Sequence, residues 1–230
     1  MNRRTEPGRA AGLMARLVWA VLFAVLSIGL TGAGARAATA GDFDYYVLSL
    51  AWSPTYCAAS SRNRSTEQCR EQHDIIVHGL WPQNERGYPS DCPTSYPLRL
   101  SSGLLDAYDA MTPDRGLLAH QWRKHGTCTG LSPEAYFETA RTLFGRLHMP
   151  RVLINPGTRA SFDRDDIRAR IAAANPGLEP DMIVLTCEVR NLDEIRICFT
   201  REGDFRRCSA DVAAKTCARK PMIVLPVSGR

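Results

Sequence analysis

Between Ala119 and Cys128 the chain reads AHQWRKHGTC, a stretch that sets His120, Gln121, Lys124 and His125 within one short span. Imidazole has a reference pKa of about 6.5, so each ring can give or take a proton near neutrality, and a lysine beside them supplies fixed positive charge. If the stretch is helical, its residues turn about 100° each. His120, Lys124, Gln121 and His125 then fall at roughly 0°, 40°, 100° and 140° on one face, and Trp122 and Arg123 point away at about 200° and 300°. Such a face can hold a phosphate. His78 opens a second polar motif, HGLWP at 78–82.

Both motifs need elements to carry them. Phe43 to Trp52 is rich in aromatic and β-branched residues and predicts a buried strand. Ile75-Ile76-Val77 predicts a second strand running into HGLWP, where Gly79 would allow close approach to a ligand and Pro82 would stop the ladder. Residues 83–96 have the composition of a long loop that Cys92 would staple, and Leu98 to Met111 has a rough helical period. Ser132 and Pro133 predict an N-cap and first turn for a helix to about Leu147, and a further helix is expected from about Arg164 to Ala174. Its alternating Arg and Asp residues read as a solvated face. Strands are expected over Met182 to Glu188, Ile195 to Thr200, Phe205 to Cys208 and Ile223 to Val227. The expected class is α+β, a mainly antiparallel sheet packed with several helices.

Residues 1–37 carry a basic start, a 14-residue apolar run from Leu17 to Leu30, and Ala35-Arg36-Ala37 as a cleavage pattern. The run is shorter than a membrane span needs. A removed signal peptide is therefore expected, with 38–230 as a single domain, secreted or periplasmic and without a membrane span. The leader's five arginines and one acid account for +4 of the formal +5 charge, so net charge does not support a broad basic surface. All eight cysteines (57, 69, 92, 128, 187, 198, 208 and 217) follow the leader, an even set that predicts a disulfide framework. Cys57 and Cys69 enclose a polar loop that a bridge could close. A hairpin turning at Gly203 would set Cys198 opposite Cys208 and bring Cys187 near Cys217. No C-x2-C spacing suggests zinc.

HGLWP at 78–82, HQWRKHGTC at 120–128, LAWSPTYC at 50–57 and LDEIRIC at 192–198 together resemble the signature blocks of the ribonuclease T2 family, in order and across nearly the whole chain after the leader. The resemblance implies bridges Cys57–Cys69, Cys92–Cys128, Cys187–Cys217 and Cys198–Cys208. It implies an endoribonuclease cleaving single-stranded RNA through a 2′,3′-cyclic phosphate, needing no metal or cofactor, acting as a monomer and refusing DNA, which has no 2′-hydroxyl to attack the phosphate. His125 is then the expected general base, His78 the general acid, His120 a phosphate ligand and Lys124 the counter-charge. Trp81 resembles the family's base-stacking tryptophan, with Tyr88 beside it.

One position departs from the family pattern, which usually has glutamate where this chain has Gln121. An amide can hydrogen-bond to a phosphoryl oxygen but lends a neighbouring imidazolium no charge. A glutamate there is expected to raise the pKa of His125 and move the pH optimum upward. The departure also motivates an alternative: a secreted RNA-binding protein with weakened turnover. A metal-dependent phosphodiesterase is the third reading. A zincin-like site does not fit, because its histidines stand at i and i+4 around a glutamate, whereas His120 and His125 are at i and i+5 with glutamine. His73 and His148 read as surface or structural histidines, and Trp52 and Trp122 as core.

Overall fold

The computed structural model describes residues 38–154, 156–218 and 221–227. The leader expected over 1–37 lies outside them. In chain order the elements are β1 (Tyr45–Trp52), α1 (Ser53–Ala59), α2 (Glu67–Arg70), β2 (Ile75–Gln83), α3 (Ser102–Ala107), α4 (Arg115–Lys124), α5 (Pro133–Gly145), β3 (Ala160–Phe162), α6 (Arg164–Ala174), β4 (Ile183–Glu188), β5 (Asn191–Phe199), α7 (Ala210–Ala213) and β6 (Met222–Val224). The fold is α+β, with a mostly antiparallel sheet and four disulfides.

β1 is the axis of the sheet because both of its faces are buried. Tyr46, Leu48, Leu50 and Trp52 enter the main core against α5 and α6, whereas Tyr45 and Val47 join a smaller cluster with Val184, Cys198 and Val212. That double burial explains why the strand reads as a continuous apolar run. β1 pairs antiparallel with β2 on one side and with β5 on the other, and β5 pairs antiparallel with β4. β6 meets the start of β5 in a single parallel pair and runs antiparallel to β3.

Local chemistry sets the helix ends. Ser132 Oγ accepts from the Ala135 N–H at the start of α5, and Asp163 caps α6. Ile167 and Ile171 of α6 are fully buried, and its acids pair with its own arginines at i, i+3 and i+4. The helix expected over 98–111 is shorter, because Ser101 accepts from the Leu104 N–H and starts α3 only at Ser102. The polar loop between Cys57 and Cys69 is bounded by helices, each cysteine lying in one.

Two strand expectations need correction. Pro82 does not stop β2: it pairs with Tyr46, and the strand continues to Gln83. β2 is the edge of the sheet, the position at which a missing N–H can be tolerated. The strand expected over Phe205 to Cys208 is only an isolated bridge, Phe199 to Phe205, with one further bond from Arg206 N to Cys198 O. The chain then leaves the ladder for α7, because the Tyr45 hydroxyl holds Ser209 through both its N–H and its Oγ. The turn itself is as expected, with Gly203 at φ +93° and its N–H bonded to Thr200 O.

The sheet carries two register shifts that nothing in the sequence announces. β1 and β2 pair Ser49 with Gly79 and then Leu50 with Val77, so His78 is an extra residue in β2. β4 and β5 pair Thr186 with Glu194 and then Cys187 with Leu192, so Asp193 is extra in β5. A bulge of this kind bends the strand and re-aims a side chain.

All four disulfides join the pairs that the family resemblance implies. Cys92–Cys128 closes a loop of sequence separation 36 and fastens residues 84–101 to the end of α4. Replacing both cysteines by alanine should lower stability by about 3 to 4 kcal/mol through the released loop entropy of the unfolded chain. Urea unfolding of the oxidised protein checks this; an unchanged midpoint would show that the bridge constrains nothing.

Candidate active site

The polar helix face inferred from AHQWRKHGTC divides in the structure. α4 ends at Lys124, and His125 is its C-cap, with φ −119° and ψ −46°. Gln121 and His125 turn inward and are buried, Lys124 is half-exposed, and His120 is exposed. Trp122 is fully buried, as its place on the wheel suggests, and donates from Nε1 to Pro97 O at 2.8 Å.

Gln121 Oε1 accepts from the Trp81 indole N–H at 2.8 Å, which joins α4 to β2. Gly79 makes room for that bond. A Cβ there would lie 2.1 Å from Gln121 Oε1 and 2.7 Å from Trp81 Nε1. The glycine thus admits the amide–indole pair, not a ligand as the sequence suggested.

Trp81 stands beside both candidate catalytic histidines. Its ring centroid is 5.3 Å from His78, edge-on, and 5.5 Å from His125, and the Arg196 guanidinium lies 5.0 Å over it. Tyr88, 54 % exposed, reaches 6.2 Å from His125 at the mouth of a cleft of about 410 Å³ that Trp81, Lys124 and His125 also line. His120 makes no hydrogen bond to any described residue, yet its charge bears on His125.

The two histidines have opposite surroundings. Burial, then the charges of Lys124, His120 and His78, push His125 down from the ordinary 6.5 to about 3, against a weaker opposing pull from Asp91. The ring is therefore neutral at neutral pH. Its Nδ1 is buried without a partner among the described residues, so exchange with a substrate must use Nε2. His78 Nδ1 is bonded to Glu194 Oε1. Burial works to raise the Glu194 carboxyl, but the hydrogen bond and charge of His78, together with Arg196, hold it down at about 2. An ionised carboxylate only accepts, so Nδ1 carries the hydrogen and Nε2 is left for chemistry.

Glu194 and Arg196 are the residues that motif reading missed. Arg196 donates to Glu194 Oε2 through Nε at 2.8 Å and Nη2 at 2.6 Å. Both belong to LDEIRIC, where Leu192, Ile195 and Ile197 enter the main core. Opposite charges at i and i+2, set between the apolar positions Leu192, Ile195 and Ile197, were the available signal.

A disulfide-stapled α+β fold with two histidines beside one tryptophan, one buried and neutral and the other bonded to a buried carboxylate, defines a class of protein with a candidate acid–base site. The ribonuclease T2 family profile matches residues 43–208, so the chain belongs to the ribonuclease T2 family. A ribonuclease of Aeromonas hydrophila is 43% identical over 104 residues, 45% of this chain and 46% of that protein. A probable ribonuclease of Haemophilus influenzae is 30% identical over 181 residues, 73% of this chain and 61% of that protein. The matched stretch thus spans about half to three fifths of these relatives. Among solved structures, RNase NT in complex with 5′-AMP superposes with TM-score 0.60 at 21% identity, over 80% of this chain and 99% of that one. An RNase-related protein from Calystegia sepium gives 0.62 at 21%, over 81% and 98%.

Gln121 lies one helical turn before His125, whose N–H bonds to its carbonyl. A carboxylate at 121 would favour the His125 imidazolium, so Gln121→Glu should raise its pKa. A base must be neutral to accept a proton, so the acid limb of any rate profile that depends on His125 would move to higher pH. NMR titration of the His125 ring in both proteins checks this; an unchanged pKa would contradict it.

Proposed function

We propose that the chain is an endoribonuclease that cleaves single-stranded RNA without a metal, by attack of the 2′-hydroxyl on its own phosphate to give a 2′,3′-cyclic phosphate. The observation that carries the reading is the pair of histidines beside Trp81, one kept neutral by burial and one hydrogen-bonded to a carboxylate. A general base and a general acid need different protonation states at one pH, and these two environments favour a division of labour.

His125 Nε2 takes the 2′-hydroxyl proton. Its low pKa in the free protein comes from burial and from neighbouring positive charge. A phosphate entering the cleft brings negative charge against those cations, which raises the ring's proton affinity when the substrate is in place. His78 Nε2 gives a proton to the departing 5′-oxygen, with Glu194 and Arg196 fixing the ring. Lys124 offsets charge on the phosphorus-bound oxygens, and His120 contacts phosphate from the exposed side of α4. Trp81 and Tyr88 offer aromatic surface to a base, stacking of this kind being worth about 1 to 3 kcal/mol. Gln121 acts by holding Trp81.

The reading extends to the whole protein as a single catalytic domain over 38–230, exported after removal of residues 1–37 and active as a monomer. Among the described residues no helix is long and apolar enough to cross a membrane. Gln121 at the family's glutamate position favours a second reading, an RNA-binding protein with little turnover.

One experiment separates these readings: a defined oligoribonucleotide is incubated with excess chelator and the products are analysed. Chelator-resistant cleavage to cyclic phosphate ends is expected, reduced at least about 100-fold in His78→Ala, the usual scale for one acid–base group. Near-wild-type turnover in that variant would overturn the mechanism. Retained binding without cleavage would favour the second reading, and loss on chelation would support the metal-dependent one.

A further inference from the structure

Ala119 and Arg123, one turn apart on α4, form a wall of a groove of about 480 Å³ separate from the catalytic cleft. Leu98, Leu100 and Leu105 give it an apolar lining, and Arg99 is its second cation. No acidic side chain lines it among the described residues. Both arginines are exposed. Neither guanidinium makes a hydrogen bond or ion pair with any described residue. The arginines of α6, by contrast, are matched to acids on their own helix. Leu98 is 54% exposed, with much of its side chain turned out beside the two charges.

The groove is held in shape rather than left to a mobile loop. The Trp122 indole donates to Pro97 O, the Lys124 carbonyl accepts from Asp91 N, and Cys92 is bridged to Cys128. These ties fix the segment carrying Leu98 and Arg99 against the helix that carries His120, Lys124 and His125.

We propose that this groove is an outer subsite for the RNA strand, holding a nucleotide beyond the two that flank the scissile bond; the inference rests on the ribonuclease reading above. Planar guanidinium groups suit phosphate oxygens, and an apolar surface suits the face of an unpaired base. The placement on α4 gives a path. At 100° per residue, the Ala119 and Arg123 stripe adjoins the His120 and Lys124 stripe, which in turn adjoins Gln121 and His125. From Ala119 to His125 is roughly 9 Å along the axis at about 1.5 Å per residue, and from Arg123 to His125 about 160° round the helix, so a strand joining the two passes over His120 and Lys124. His120, exposed and without a hydrogen-bond partner among the described residues, stands on that path. With little net charge outside the leader, such a local pair of cations is the means by which this protein can prefer long RNA to short.

The test compares kcat/KM for a dinucleoside monophosphate and for a hexaribonucleotide with the same scissile step, at two salt concentrations. The wild type is expected to favour the hexamer at least about tenfold. The Arg99→Gln/Arg123→Gln double variant should lose at least fivefold more on the hexamer than on the dinucleotide, chiefly through KM. Its salt slope on the hexamer should fall by about 1.4, two phosphate contacts at roughly 0.7 each on a single strand. Leu98→Asp, at an exposed position, should show the same selective loss with an unchanged urea midpoint. Equal losses on both substrates, or none on the hexamer, would overturn the subsite while leaving the ribonuclease reading intact. A wild type inert on both substrates would remove that reading, and the subsite with it.

Discussion

The hydrogen bond from the Trp81 indole to the Gln121 amide joins the edge strand to the helix on which His125 depends. Without it, β2 and α4 would meet only through apolar contacts, which fix distance but not rotation. With it, Trp81 is held by Gln121 on one element and by the Arg196 cation on another. Both histidines pack beside that ring, 5.3 and 5.5 Å away. Gly79 is the condition for the bond, because any side chain there would occupy the space of the amide oxygen. Such hydrogen bonds contribute only about 0.5–1.5 kcal/mol net. Their value here is geometric, since small displacements of reacting groups are costly in rate.

The second constraint is electrostatic and rests on the bulge at His78. Strict alternation along β2 would leave a single residue between the core positions Val77 and Leu80, too few to carry both a glycine for the amide and a histidine beside the Trp81 ring. The extra residue supplies both. It also brings His78 to Glu194, a carboxylate that burial alone would neutralise and that His78 and Arg196 keep ionised. His125 has no such partner, and burial keeps it uncharged. Burial thus acts on both groups in the direction of the uncharged form, and the difference lies in the partners: Glu194 has His78 and Arg196 to keep it ionised, and His125 has none.

Much of this was legible in the sequence, for identifiable reasons. β1 and α5 follow from short-range signals, a doubly buried apolar run and a Ser-Pro start, and α6 is followed directly by Asn175-Pro176-Gly177, residues that end a helix. The disulfide plan came from the family resemblance, with the hairpin at Gly203 giving independent support to its last two bridges. What escaped the sequence is non-local. Whether Pro82 ends a strand depends on whether that strand lies at an edge. Register shifts at His78 and Asp193 are properties of paired strands, which no single segment encodes. Gln121 read as a phosphate-facing amide because a helical wheel gives angles but does not say which angle meets another element. Glu194 and Arg196 were inside a recognised block and still had no role, because their partner lies over a hundred residues away in sequence.

The proposed mechanism needs His78 to give a proton to the departing oxygen and His125 to take one from the attacking oxygen. The direct test replaces the bridging 5′-oxygen of the scissile phosphate by sulfur, a leaving group that departs without protonation. In single-turnover cleavage His78→Ala should then recover to near the wild-type rate, regaining the factor of about 100 or more expected of one acid–base group, while His125→Ala stays slow. Recovery of His125→Ala with His78→Ala still impaired would contradict the assignment.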